Sequence, residues 1–592
     1  MKNLLFLIGI ICLVAASAWL FQDAGEPPRS SDEPRSSSAN SERPFVFGSK
    51  ANSPAGSPAS RDVAFTDEDY SNIHPDDYVG PEACAKCHAK QFEHWQTHPH
   101  SRMNLNPSAT SVLGDFSGVR IDYGSGHVTF ETEDEQYYMS IFVGDQLERR
   151  FRVTRTVGSR VTQMYIGLQV KGPEPKDHHA YTMEGKLPFG YWMKRKMWTP
   201  VSYFDSAYDQ EAVSVAEQTK ALETHQQEIK WEYNCLYCHN TYPYQFRISF
   251  GRGTGFAPED FRFSDGTHAK QWGKLQPEDL VTLGISCESC HFGGREHVEH
   301  QKPTKYHPAS PSLALPAAVR SLTNSELTQT PQHINSICTQ CHCAQVTCYP
   351  NGAATWNSRE ALDLKSGACQ QQLRCVDCHS PHLAGPHGGL HSEQVIADKC
   401  VSCHDRFRDG AKRKAHTRHE ASSASCLDCH MPRVVQGLDN VIRTHHISSP
   451  TDRKMLDVGA PNACNLCHLD QSIQWTVDEL NAGWHTGIRL SDKAEQAYGE
   501  LDRPLGEAWL NHAQPLVRLI ASDAMARSET PDAVAQLLPL LKDPYAVNRI
   551  FGLFAIEQKL GRRLTEQEYA PLAPHAVRDA MVDALLEQPP AP

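Results

Sequence analysis

One pattern constrains this chain of 592 residues more than any other: a cysteine, two residues, a second cysteine and then a histidine at once. It occurs at Cys84, Cys87 and His88, at Cys235, Cys238 and His239, at Cys287, Cys290 and His291, and at Cys338, Cys341 and His342. Further copies stand at Cys375, Cys378 and His379, at Cys400, Cys403 and His404, at Cys426, Cys429 and His430, and at Cys464, Cys467 and His468. At this cysteine and histidine content chance gives on the order of 0.04 copies; the chain has eight, using sixteen of its twenty cysteines. Zinc sites and redox dithiols also use paired cysteines, but neither requires a histidine after every second one. Two thiols at this spacing reach the two vinyl groups of one protohaem and form thioethers, while the histidine is carried beneath the ring to ligate iron. The chain is therefore expected to bind eight haem c groups covalently.

The attachment histidines are separated by 151, 52, 51, 37, 25, 26 and 38 residues, so five motifs fall between positions 338 and 468. With so little polypeptide per macrocycle, the rings must wall one another and replace much of the usual side-chain core. Closely packed porphyrin edges make a conductor. The expected fold class is mainly α with much irregular structure, a haem stack of loops and short helices in which strands are scarce outside one insert.

A relay needs a second axial ligand on most irons, and 23 of the 31 histidines remain to supply it. The candidates standing near motifs in Gly- or Pro-punctuated segments are His98 or His100, His297, His382, His416 or His419, and His445 or His446. For each, the competing role is a surface or structural histidine. Two histidines close both faces of a haem, so iron changes oxidation state without taking up substrate, whereas an open face can do chemistry.

Around this body the chain changes character three times. Residues 1–21, a charged start and an apolar run from Leu4 to Phe21 with a small-x-small site at Ala16 to Ala18, read as a signal peptide or a membrane anchor. Either delivers the rest to an oxidising compartment outside the cytoplasm. Residues 22–68, rich in Ser, Pro, Ala and Gly, read as a disordered linker. The cytochrome body is expected over 69–475, with a β-rich insert at about 110–205 where residues alternate at Val128 to Phe130, Tyr137 to Val143 and Phe151 to Thr156. Over 476–592 the apolar spacing becomes helical, as at Pro515 to Ala526, Ala533 to Asp543 and Asp543 to Gly561. These leucine-rich pairs resemble HEAT-type repeats, and they serve as a docking groove or as a plain cap over the haem body.

The formal net charge of −13 makes nucleic acid an unsuitable partner. A redox protein, basic for electrostatic fit, or a quinol-linked donor suits the charge better. Hydrophobic content of 40% and a mean hydropathy of −0.51 argue against a polytopic membrane protein and leave the N-terminus as the only membrane contact.

The segments YVGPEACAKCHAKQFEHW, GISCESCHFGGREHVEH, CLDCHMP at Cys426 to Pro432 and PNACNLCHLDQSIQW at Pro461 to Trp475 resemble the multihaem cytochrome c superfamily. That family includes hydroxylamine oxidoreductase, the octahaem nitrite and tetrathionate reductases and the tetrahaem cytochrome of nitrification, and the likeness is greatest to octahaem members with C-terminal helical repeats. The resemblance implies a periplasmic multihaem cytochrome c stack with bis-histidine haems, His297 and His382 as distal ligands, and one substrate haem. By chain order that haem is the one at Cys338 to His342. No Cys-x-x-Cys-Lys occurs, so the lysine-ligated haem of nitrite reductases is absent in that form. The sequence does not locate a counterpart of the tyrosine cross-link of hydroxylamine oxidoreductase, although Tyr349 lies close to the fourth motif. Cys343, Cys348 and Cys369 are left for a disulfide between two of them or for a thiol handling sulfur compounds near an open haem. Two functions stay open: an electron relay, or an oxidoreductase acting on a small nitrogen or sulfur compound at one haem.

Overall fold

The computed structural model describes residues 70–123, 126–201, 229–250, 262–263, 273–306, 308–310, 313–314, 330–384 and 389–590. The expected signal or anchor and the linker lie outside the described residues. Among those described, no helix is long and apolar enough to cross a membrane.

The alternating segments form an antiparallel sheet. Its strands are β1 (Asn104–Leu105), β2 (Ser117–Tyr123), β3 (Gly126–Glu133), β4 (Gln136–Val143), β5 (Gln146–Val157), β6 (Thr162–Lys171), β7 (Gly185–Lys186), β8 (Phe189–Trp192) and β9 (Met197–Pro200). The order is β2-β3-β4-β5-β6-β8-β9, with β1 on β5 and β7 on β6. Side chains that alternate in the sequence share one face: Val128 and Phe130, Met139 and Ile141, and Phe151 and Val153 meet Phe116, Tyr165, Phe189 and Trp198 in one core. Glu133 pairs with Gln136 across a two-residue turn in which Asp134 and Glu135 both take positive φ, 47° and 61°. That is the turn whose twist suits a hairpin.

Elsewhere strands are confined to short two-stranded pairs: Asn240–Thr241 with Thr282–Leu283, Arg262–Phe263 with Leu313–Ala314, and Arg433–Gln436 with Val441–Arg443. Short helices and turns carry the rest of the cysteine-rich body.

Beyond the last motif the helices are Ile473–Trp484, Asp492–Tyr498, Leu505–Leu510, Pro515–Arg527, Ala533–Leu537, Ala546–Leu560 and His575–Glu587. Two of the three expected helices form with the expected extent, one opening on Pro515 and one closing on Gly561 at φ 66°. The third is broken. The α-helix Ala533–Leu537 tightens into a 3-10 helix at Leu538–Lys542, where Pro539 removes a backbone donor and crowds the preceding turn.

These helices share one core with the cysteine-rich body. Val434, Val441, Leu466 and Leu469 lie in the same apolar cluster as Trp509, Leu519, Phe551 and Val582. The tip between β8 and β9 reaches the same helices. The Trp192 ring lies 5.2 Å from that of Phe554, Arg195 covers Phe554 and ion-pairs with Glu557, and Arg563 donates to the Lys194 and Arg195 carbonyls.

Candidate functional site

Each motif is a single turn of helix. The histidine N–H donates to the carbonyl of the first cysteine at 2.9 Å for His88, His291, His342 and His379, and at 3.0 Å for His404 and His468. His239 and His430 close the short helices Leu236–His239 and Cys426–His430. An i, i+4 relationship puts the first cysteine and the histidine on one face of the turn, which is what a ring bonded at its edge and ligated from beneath requires.

The decisive geometry lies opposite those turns. Imidazole centroids pair at 6.1 Å for His88 and His297, 6.3 Å for His291 and His382, and 6.2 Å for His379 and His445. The remaining pairs are His430 with His416 at 6.2 Å and His468 with His419 at 6.0 Å. Interplanar angles are 21°, 14°, 21°, 4° and 42° in the same order. With each nitrogen about 2 Å from a metal and each centroid roughly 1.1 Å behind it, two coaxial imidazoles stand about 6.2 Å apart. Direct ring stacking would be much closer, so the donor set fits an iron held between two histidines. The far ring nitrogens are anchored as such ligands require: His297 Nδ1 to the Lys302 carbonyl at 2.8 Å, His419 Nδ1 to Thr417 at 2.7 Å and His430 Nδ1 to Ser448 at 2.8 Å.

The other candidates are placed differently. The His98 and His100 rings lie 4.7 Å apart and tilted by 45°, and His98 Nδ1 accepts from the His100 N–H. Neither ring stands across a metal-sized gap from a motif histidine. Burial, followed by the neighbouring His98 and His342 rings, holds His100 down at about 3. His446 is engaged by Ser366, Nδ1 to Oγ at 2.9 Å, which leaves His445 as the one facing a motif. His416 and His419, offered as alternatives, both face motif histidines, of the seventh and eighth motifs respectively. Among the described residues His239, His342 and His404 face no second imidazole at this spacing; the ring nearest His404 is Phe407, at 6.4 Å.

Cysteines of different motifs lie close to one another. Cys84 lies by Cys287, Cys338 by Cys375, Cys341 by Cys238 and Cys400 by Cys426. Cys290 is also within electrostatic reach of Cys338, Cys400 of Cys378, and Cys429 of Cys464 and Cys467. The motifs thus connect first to third to fourth, fourth to both second and fifth, and then onward through sixth and seventh to eighth.

Charges that no motif advertises, two of them buried, hold these turns together. Glu288, 1% exposed, accepts from the Val79, Gly80 and Gly294 amides at 3.1, 2.8 and 2.7 Å, tying the approach to the first motif and the His297 segment onto the third motif. Arg247, 3% exposed, donates to the Tyr237 and Gln340 carbonyls, the same position in the second and fourth motifs. His342 Nδ1 lies 2.9 Å from Glu360 Oε2. Burial opposes charging that ring, but the Glu360 carboxylate outweighs it and raises His342 to about 9. Sequence patterns find none of the three, because each acts through a partner remote in the chain.

No two of Cys343, Cys348 and Cys369 form a disulfide: Cys343 is buried beside Cys341, Cys348 is exposed, and Cys369 lies by Cys403 and Cys400. Tyr349 belongs to the apolar core shared with the C-terminal helices, where its hydroxyl donates to the Val434 carbonyl at 2.7 Å.

Residues 414–518, which carry His416, His419 and the last two motifs, match the family model of cytochrome c552. Over that stretch the chain is similar to a c-type cytochrome. Its Cys-x-x-Cys-His turns fit covalent attachment of haem c. It is similar to two solved structures: an outer cell wall cytochrome, OcwA, at 13% identity, covering 86% of this chain and 99% of that one with a TM-score of 0.36, and the octahaem sulfite reductase MccA of Wolinella succinogenes, at 14% identity, covering 87% and 84% with a TM-score of 0.30. No curated protein matches the chain.

Proposed function

We propose that this cytochrome carries eight haems, is exported to the periplasm, free or tethered by its N-terminus, and relays electrons between a quinol-linked donor and another redox protein. The observation that carries the reading is the set of five imidazole pairs at an iron-spanning separation. Haem c supplies a one-electron iron couple held in place by thioether bonds. The paired histidines close both faces of the metal, which suits electron transfer without substrate binding. The closeness of cysteines from different motifs brings the edges of their haems together, giving a path with ends at the first, second and eighth motifs and a junction at the fourth. The helices over 476–592, in HEAT-like pairs, act as a cap on the last motifs, since their core is continuous with Val434, Leu466 and Leu469.

Mass spectrometry of the purified mature chain tests this reading. Eight haem increments with a mostly low-spin electron paramagnetic resonance spectrum are expected. A bare polypeptide mass without Soret absorbance overturns it.

The fourth motif supports a second reading, an oxidoreductase acting on a small nitrogen or sulfur compound, because Glu360 sets His342 apart from the other motif histidines. Spectra repeated with nitrite, hydroxylamine and tetrathionate separate the two. A perturbed haem favours the enzyme; an unchanged low-spin spectrum favours the relay.

A further inference from the structure

The Nδ1 of His342 meets a carboxylate. Glu360 Oε2 stands 2.9 Å away, and the other oxygen of the same group accepts the Ser358 N–H at 2.8 Å. The contact is reinforced by the backbone, since the Ala361 N–H donates to the His342 carbonyl at 3.2 Å. Segment 358–361 therefore grips both the ring and the main chain of the fourth motif. By contrast, the seventh motif's His430 is anchored by a neutral backbone carbonyl, that of Ser448. Among the described residues no lysine or arginine pairs with Glu360; the ring it is hydrogen-bonded to is that of His342, while His445 and His379 lie within its longer electrostatic reach.

A carboxylate accepting from the far nitrogen of a metal-bound imidazole fixes the ring's orientation and makes it a stronger electron donor. A more strongly donating axial ligand favours the ferric over the ferrous iron, which lowers the reduction potential. The place matters as much as the chemistry. Cys338 meets Cys375 and lies within reach of Cys290, while Cys341 meets Cys238, so the fourth motif touches the second, third and fifth.

We propose that Glu360 is a positioning residue that, through its hydrogen bond to His342, lowers the reduction potential of the haem at the branch point of the path, making that junction the last site to fill with an electron. This rests on haem attachment at Cys338 and Cys341, as in the proposed function.

The test compares reductive titrations, followed by absorbance and electron paramagnetic resonance, of the wild-type cytochrome, Glu360→Gln and Glu360→Asp, each first weighed for haem content. Gln keeps an acceptor for Ser358 and removes the charge; Asp keeps the charge. The expected result is an upward shift of a single redox component in Glu360→Gln, with the other components and the haem count unchanged and with Glu360→Asp near wild type. Superimposable titrations, a downward shift, or an equal shift of every component overturns the inference. A wild-type mass without haem at the fourth motif would instead overturn the functional reading, and the weighing reports that separately.

Discussion

The ring of His416 lies 6.2 Å from that of His430 with the two planes 4° from parallel. Trp484 buttresses this arrangement, its Nε1 donating to the His416 carbonyl at 2.8 Å, so a helix beyond the last motif helps to place a ligand of the seventh. Replacing His416 by alanine opens one face of that iron and leaves the thioether bonds intact. We expect His416→Ala to retain its full haem mass, to gain one high-spin component in electron paramagnetic resonance and to bind carbon monoxide when reduced, where the parent does not bind it at this site.

Glu288→Ala leaves the Val79, Gly80 and Gly294 amides without their buried acceptor. Each unsatisfied buried donor costs about 1–3 kcal/mol, so the variant should lose roughly 3 kcal/mol or more of stability by these terms. Denaturation followed in the Soret band checks this, and the spectrum of the His88 and His297 site should be the first to change.

Trp509 is 1% exposed in the core that joins the last motifs to the C-terminal helices. Trp509→Ala should destabilise the chain by about 3–5 kcal/mol. Deleting 480–592 should prevent accumulation of a soluble haem-loaded protein, because Val434, Leu466 and Leu469 would lose the surface that covers them. A soluble truncated protein with an unaltered haem spectrum would contradict the shared core.

Asp363 is pushed up to about 6, by burial first, against the amide of Ala354 and the nearby Arg359. Its folded value lies above the unfolded value, so the folded protein holds this proton more tightly. The stabilisation is complete below about pH 4 and is lost as pH rises through about 6. Asp363→Asn should flatten the stability profile between these limits, measured by thermal unfolding at fixed ionic strength.

The sheet is legible in the sequence because a strand buried on one face advertises itself at a period of two, as Met139 and Ile141 on β4 do. The helices from Pro515 onward are legible for the same kind of reason, except where Pro539 interrupts an otherwise helical apolar pattern. Glu288, Arg247 and Glu360 leave no such trace: each is a single polar residue whose role comes from amides, carbonyls or a ring distant in the chain. His98 and His100 show the converse, since proximity to the first motif suggests ligands, while the fold turns their rings toward each other.

By itself the sequence determined where macrocycles can be bonded, since a cysteine, a second cysteine three residues on and a histidine four residues on come together within one turn of helix wherever that turn lies. Only the tertiary structure decided which distal histidine faces which motif: His297 is 209 residues from His88, His445 is 66 from His379, and His419 skips the nearer seventh motif to face His468. Bond formation at a motif is a local matter of spacing. Closing the opposite face depends on how distant segments pack, and no local pattern encodes that.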